Sequence, residues 1–168
     1  MPVSGRILLV DGFTVTAADT PENQAEYPQN PAQKEGIGFP ILRGVTLISM
    51  ITGMLFDCEI GPYSGKESGE TALLWKLLSQ LRRGDILVAD SYYCTYWLIA
   101  ACLARGVQIV MKNHHKRDDN PATARRINKH QRTVTWDRPP RPEWMSEEVY
   151  AEKPATVAVR LVDVQVHE

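Results

Sequence analysis

Short apolar runs separated by polar stretches organise much of the chain. Residues 6–12 (RILLVDG) and 85–90 (DILVAD) each contain a run of branched apolar side chains followed by an aspartate, a pattern typical of buried strands. Residues 40–50 and 54–60 are two strand-like runs separated by three residues, which predicts an antiparallel hairpin. Residues 107–111 predict a further strand, so this part of the chain should form a sheet.

Two segments between these runs have helical patterns. Ser64 and Glu67 fit a capping box at the start of the first helix, and Gly84 ends it. The second helix covers residues 95–105 and stops at Gly106. Within the first helix one apolar stripe is formed by leucines at i, i+3, i+4 and i+7, namely Leu74, Leu77, Leu78 and Leu81.

The remaining segments are polar or alternate like strands. Residues 17–39 lack an apolar period and predict a long loop. Residues 113–130 are polar and basic, while residues 131–136 and 156–166 alternate between apolar and polar side chains. The order of elements therefore predicts an α/β fold, a mixed sheet with flanking helices, followed by a β-rich portion.

Composition narrows the class of protein without identifying it. The chain has 168 residues, of which 43% are hydrophobic, as expected for one domain with one core. Its apolar runs are shorter than the roughly 20 residues that a membrane helix needs. The three cysteines lack the spacing of a zinc or disulfide framework, which favours a reduced, cytoplasmic protein without membrane partners.

Charge is concentrated in one segment. The net charge is −1, but residues 112–132 contain seven basic and two acidic residues, a local charge of +5. Such a segment is suited to contact phosphates, and it is equally compatible with a solvated loop. The basic residues are Lys112, Lys116, Arg117, Arg125, Arg126, Lys129 and Arg132.

Asp11 and Asp90 occupy equivalent positions, each directly after an apolar run. If the two strands are neighbours in a sheet, both carboxylates lie at the edge where α/β sheets bind ligands. Adjacent carboxylates repel each other unless a proton or cation intervenes, and Mg²⁺ is the hard cation that prefers such ligands. The alternative for either residue is a local role, such as capping the turn or helix that follows.

Longer stretches of the sequence resemble a known family. The runs LLVDGFTVTAADTPENQAEYPQ, KEGIGFPILRGVTLISMITGMLFD and LRRGDILVADSYYCTYWLIAACLARGVQIVMKNHHKR are similar to bacterial insertion-sequence transposases of the IS-four family. The resemblance extends from about Gly5 to His167. Its most specific motifs are Val-Asp-Gly, Asp-Thr-Pro-Glu-Asn-Gln and Gly-Asp-Ile-Leu-Val-Ala-Asp, in that order.

The resemblance implies a fold, a mechanism and partners. It implies a ribonuclease H-like core in which Asp11 and Asp90 match the first two catalytic carboxylates of a DDE transposase and bind Mg²⁺ (or Mn²⁺). It further implies metal-dependent cleavage and transfer of DNA, assembly with transposon ends as a homodimer or with a full-length transposase, and a bacterial, nucleoid-associated location. The basic segment then supplies DNA contacts through Lys112, Lys116, Arg117, Arg125 and Arg126.

The sequence also departs from the family pattern. The family's third metal ligand is a glutamate within a Tyr…Arg…Glu…Lys motif, and this pattern does not occur here; Glu147 and Glu148 are not in such a motif. We therefore expect a partial catalytic core at residues 1–113 and a truncated basic and β-rich insertion at residues 114–168. A chain truncated at both ends should be inactive in transposition by itself.

Two alternative functions fit parts of the pattern. Residues 7–15 and 84–90 resemble the motifs of haloacid dehalogenase-like phosphatases, but Phe13 stands where that family needs its general acid. The other alternative is a decayed, non-catalytic remnant that binds DNA or interferes with a full-length transposase. Steep salt dependence of DNA binding would favour the remnant over an inert chain.

Overall fold

A central five-stranded sheet dominates the computed structural model, which describes residues 5–66, 68–113, 124–143 and 145–164. Its strand order is β3-β2-β1-β4-β5. β1 pairs in parallel with β4, and β4 in parallel with β5, whereas β2 is antiparallel to both β1 and β3. The strands are β1 (Ile7–Thr16), β2 (Ile41–Ser49), β3 (Leu55–Pro62), β4 (Ile86–Ala89) and β5 (Gln108–Met111).

Helices flank this sheet and complete its core. The helices are α1 (Pro21–Glu26), α2 (Glu70–Leu77), α3 (Tyr96–Ala104) and α4 (Glu147–Ala151), and 3-10 turns cover Leu78–Gln80 and Ser91–Tyr93. The leucine stripe of α2 and the following turn packs on the sheet, because Leu74, Leu77 and Leu78 are buried with Leu8 and Leu47 of the strands in one cluster. Each buried leucine contributes about 1.5–3 kcal/mol of transfer free energy.

A second, three-stranded antiparallel sheet follows in the chain. Its strands are β6 (Arg125–Asn128), β7 (Gln131–Asp137) and β8 (Thr156–Val162), in the order β6-β7-β8. Trp136 and Val157 of this sheet are buried in a cluster with Tyr96, Ile99 and Ala100 of α3. The second sheet therefore covers the side of α3 that does not contribute to the central cluster.

The strand order and directions are those of a ribonuclease H-like core. The predicted fold class, a mixed α/β sheet with flanking helices and a β-rich portion, is confirmed. The second helix also begins and ends as expected, because the side chain of Thr95 accepts the Leu98 N–H at its start and Gly106 adopts φ +70° after its end.

Three local predictions are wrong or incomplete. The capping box does not start α2, since the helix begins at Glu70 with Gly69 as a cap that makes no side-chain hydrogen bond. Gly65 adopts φ +121°, a conformation that interrupts a helix, while Glu67 lies outside the described residues. The predicted loop contains α1, which Thr20 caps, and the polar segment contains β6.

Candidate metal centre

The register of the parallel β1–β4 pair determines where the two predicted carboxylates lie. Ile7 is opposite Ile86, and the pairing continues in step to Leu9 opposite Val88. The pairing ends there, and Asp11 and Asp90 each lie two residues beyond the last paired position of their strand. Both side chains are exposed. The two residues that the sequence singled out therefore follow the paired parts of two adjacent strands of one sheet.

Asp11 lies within its strand rather than at its end. β1 continues to Thr16 through its antiparallel pairing with β2, in which Asp11 is opposite Thr46. The Thr46 hydroxyl donates to the Asp11 carbonyl oxygen at 3.1 Å, and Asp11 Oδ1 accepts the Gly12 N–H at 3.0 Å. The position is therefore held by backbone pairing on the β2 side, while its side chain stays open to solvent.

Asp90 follows directly after β4 and caps the 3-10 turn Ser91–Tyr93. Its Oδ1 accepts the Tyr92 N–H at 2.8 Å. The capping role that the sequence left open is thus present, and it uses one carboxylate oxygen. Within the described part of the chain, Oδ2 of Asp11 and Oδ2 of Asp90 accept no hydrogen bond from protein donors. Two such oxygens on adjacent strands are hard donors suited to Mg²⁺ or Mn²⁺.

The donor set is small. Across the residues that the structure describes, no group of three or more His, Cys, Asp or Glu side chains is arranged to hold a metal ion. A hard cation bound here would complete its coordination with water or substrate oxygens, as Mg²⁺ often does. The two aspartates fit a divalent ion as a partial ligand set.

Sequence reasoning missed two residues beside these aspartates. The Tyr93 hydroxyl donates to Glu70 Oε2 at 3.1 Å, and a Cβ added at Gly12 would lie 2.4 Å from Glu70 Cδ. Burial raises the pKa of Tyr93 far above its ordinary value, and the nearby charges of Glu70, Asp90 and Asp11 raise it further. The signal in the sequence is slight: Glu70 precedes the leucine stripe and Tyr93 follows Asp90 by three residues.

The predicted DNA-contacting residues are in two places. β4 and β5 pair in step up to Ala89 opposite Met111, so the next residue, Lys112, lies beside Asp90 at the same edge and is exposed. Arg125 and Arg126 are exposed on β6 of the second sheet. Lys116 and Arg117 lie outside the described residues.

Comparison with known proteins identifies the family. A family model described as "Transposase DDE domain" matches residues 3–159. The chain therefore belongs to the DDE transposase family. Comparison with curated proteins gave no match.

A solved structure with a similar chain is the cryo-EM structure of the simian T-cell lymphotropic virus intasome in complex with PP2A regulatory subunit B56 gamma. The two chains are 12% identical with a TM-score of 0.41, over 64% of this chain and 32% of that one. The matched part of this chain thus spans about a third of that chain's length. A similarity of this size does not bear on function. Among the described residues, no helix is long and apolar enough to cross a membrane.

Proposed function

We propose that this chain is catalytic-core material of a DNA transposase in which Asp11 and Asp90 bind a divalent metal ion. The observation that supports the proposal is the parallel β1–β4 register, because the two exposed aspartates each lie two residues beyond its last pair, Leu9 and Val88. Membership of the DDE transposase family supports it independently. The finer assignment to the IS-four family rests on the motifs Val-Asp-Gly and Gly-Asp-Ile-Leu-Val-Ala-Asp, which contain these two aspartates.

The two aspartates would act as metal ligands through the carboxylate oxygens that accept no hydrogen bond from the described residues. Like charges on adjacent strands disfavour each other, and a divalent cation removes that repulsion. When bound, such an ion activates an attacking hydroxyl and stabilises the leaving oxygen in phosphoryl transfer. The backbone pairing of Asp11 with β2 and the capping hydrogen bond of Asp90 fix the two ligands before the cation arrives.

We propose that DNA binds at this site. Lys112 lies beside Asp90, where its ammonium group can contact a phosphate next to the metal. Arg125 and Arg126 extend the basic surface onto the second sheet. We propose that these residues contact the DNA backbone, and that the active assembly contains a second copy or a full-length transposase. Phosphate contacts make such binding weaker at higher salt.

Calorimetric titration with Mn²⁺ tests the metal site. With two carboxylate ligands, we expect a dissociation constant on the order of 10⁻⁴ to 10⁻³ M for the parent chain. Asp11→Ala and Asp90→Ala should each weaken binding by roughly tenfold or more, because each removes one of two charged ligands. The matched control is Asp57→Ala, since Asp57 makes the same type of local hydrogen bond, from the Cys58 N–H at 2.8 Å.

The outcomes separate the proposal from a structural role. Loss of affinity in both site variants with an unchanged Asp57→Ala variant supports it. A folded parent that binds no Mn²⁺, or a control variant that loses as much affinity as the site variants, contradicts it. Capping alone by Asp90 would lower stability in that variant and leave metal binding unaffected.

A second measurement tests the alternative function, a remnant that binds DNA but has no catalytic activity. Binding of a labelled duplex is measured from low to moderate salt for the parent chain and for Lys112→Ala. Binding with steep salt dependence but without Mn²⁺-dependent cleavage favours a DNA-binding remnant. Cleavage that is lost in Asp11→Ala favours a catalytic chain.

A further inference from the structure

We propose that Glu70 and Tyr93 are positioning residues that hold the Asp90 carboxylate opposite Asp11. The inference rests on the proposed metal site for its functional meaning, but the contact that carries it does not involve a metal. Glu70 is the first residue of α2, and Tyr93 ends the 3-10 turn that Asp90 caps. Their hydrogen bond joins α2 to the turn that Asp90 caps.

Glu70 reaches the backbone of β1 next to the first aspartate. A Cβ built on Gly12 would lie 2.4 Å from both Cδ and Oε2 of Glu70, closer than real Cβ contacts come. The carboxylate therefore lies against the backbone of Gly12, the residue that follows Asp11 in β1. Glycine at this position leaves the space that the Glu70 carboxylate fills, and a larger residue would displace it.

Tyr93 connects this carboxylate to the turn on β4. Its side chain is buried in the central cluster and only 2% exposed, and its hydroxyl donates to Glu70 Oε2. The backbone that carries the ring also carries the Asp90 cap, whose Oδ1 accepts the N–H of Tyr92, the residue preceding Tyr93. A fixed Tyr93 ring therefore limits where the turn, and with it Asp90, can lie relative to β1.

The geometry assigns Glu70 a supporting role rather than that of a ligand. Its Oε2 is engaged by Tyr93, and in the described ranges its carboxylate does not join the two aspartates in a group that could hold a metal. Residues that orient metal ligands in this way typically change metal affinity by about 10–100-fold when they are replaced. A positioning role is therefore tested by measuring the mobility of the Asp90 turn and the affinity for the metal when Glu70 or Tyr93 is replaced.

Four variants separate a hydrogen-bonding role from a charge or packing role. Glu70→Ala and Tyr93→Phe each remove the hydrogen bond, and Tyr93→Phe keeps the buried ring. Glu70→Gln removes the charge but keeps an oxygen that accepts from Tyr93. Tyr92→Phe is the matched control, because it removes a hydroxyl from the same turn at a side chain that is 55% exposed.

The first readout needs no metal. The Tyr92 N–H donates to Asp90 Oδ1. The rate of hydrogen exchange at this amide therefore reports how often the capped turn opens. We expect exchange to be faster by roughly tenfold in Glu70→Ala and Tyr93→Phe, because the turn loses one buried hydrogen bond. Exchange in Glu70→Gln and Tyr92→Phe should match the parent.

The second readout is the affinity for Mn²⁺. We expect dissociation constants to rise by about tenfold in Glu70→Ala and Tyr93→Phe and to stay within about twofold in Glu70→Gln and Tyr92→Phe. Parent-like exchange and affinity in Glu70→Ala and Tyr93→Phe would overturn the proposal. So would a Glu70→Gln variant that loses as much as Glu70→Ala, because Glu70 would then act through its charge.

The two readouts also distinguish this inference from the proposed function. If the parent binds no Mn²⁺, the metal site is wrong, and the exchange rates alone decide whether Glu70 and Tyr93 hold the turn. If the parent binds Mn²⁺ and both readouts are unchanged in Glu70→Ala and Tyr93→Phe, the metal site stands and the positioning role is wrong.

Discussion

At one end of the β1–β4 pair an aspartate is buried and fully paired, whereas at the other end two aspartates are exposed. Asp85 precedes β4 and is 3% exposed. It accepts hydrogen bonds from the backbone and guanidinium of Arg6, which precedes β1, and from the Arg82 N–H at 2.8 Å. Among the described residues, Asp11 and Asp90 at the other end each accept one local N–H.

The comparison shows how one residue type serves two purposes on the same pair of strands. A buried carboxylate is stable only if donors replace the water it loses, and Asp85 has four such donors. Burial raises the pKa of Asp85, but its hydrogen bonds with Arg6 and Arg82 outweigh burial, so the pKa lies below its ordinary value. Asp11 and Asp90 keep oxygens that are available to a ligand from outside.

The largest expected effect is at the paired end. Asp85→Ala should lower the free energy of unfolding by about 3 kcal/mol, because it removes the carboxylate that pairs with the Arg6 guanidinium and accepts the Arg82 N–H. Urea denaturation of the variant and the parent measures the difference. The control Asp57→Ala should change it by less than about 1 kcal/mol. A loss below about 1 kcal/mol for Asp85→Ala would show that the ion pair contributes little.

The next largest loss of stability is expected where two backbone segments pack closely at the same end. A Cβ on Gly5 would lie 1.7 Å from the Gly84 carbonyl oxygen, so Gly5→Ala should cost about 2 kcal/mol. The control is Gly69→Ala, because a Cβ there meets nothing within 4 Å, and the weaker N-cap preference of alanine should cost less than about 1 kcal/mol. Thermal unfolding of the two variants tests this, and equal midpoints would contradict it.

Lowering the pH should reduce the stabilisation that Asp85 provides at the paired end. Because the folded pKa of Asp85 lies below its ordinary value of 3.8, its contribution to stability is present above pH 3.8 and is lost as the pH falls through the lower folded value. Asp85→Asn should therefore lose less stability than the parent over that acid range. Denaturation curves at a series of pH values provide the measurement, and parallel losses in both proteins would assign the acid sensitivity to other groups.

The smallest effect is expected at the open end. Asp11→Ala should change the free energy of unfolding by less than about 0.5 kcal/mol, because this exposed side chain makes one local hydrogen bond. Mn²⁺ at 10 times the parent's dissociation constant should stabilise the parent by about 1.4 kcal/mol and the variant by about 0.4 kcal/mol or less. Thermal unfolding with and without Mn²⁺ measures both quantities. A large loss without metal would give Asp11 a structural role.

The sequence predicted the elements on which the site is built, but not the contacts that complete it. The apolar runs before Asp11 and Asp90 were sufficient to predict two strands, because burial on a sheet leaves a strong local pattern. The hydrogen bond from Tyr93 to Glu70 joins residues 23 positions apart and depends on how α2 lies on the sheet. Its local sequence carries no pattern from which that contact follows.

The errors have similar physical causes. All four residues of β6 are exposed, so the alternation that predicts a strand is absent there. α1 buries none of its residues and is held by its Thr20 cap and by polar side chains, which leaves no apolar period to detect. The start of α2 was misplaced because Ser64 and Glu67 have the spacing of a capping box, while Gly65 adopts a conformation that excludes it.

The 79-residue separation of Arg6 and Asp85 has a consequence for how the protein folds. Joining β1 to β4 requires closing a long loop, and its entropic cost is recovered only when the intervening elements are already packed. The β2–β3 hairpin is local and should form on the microsecond timescale, about 1–10 μs. We therefore expect Asp11 and Asp90 to come together late in folding, after the elements between them have packed.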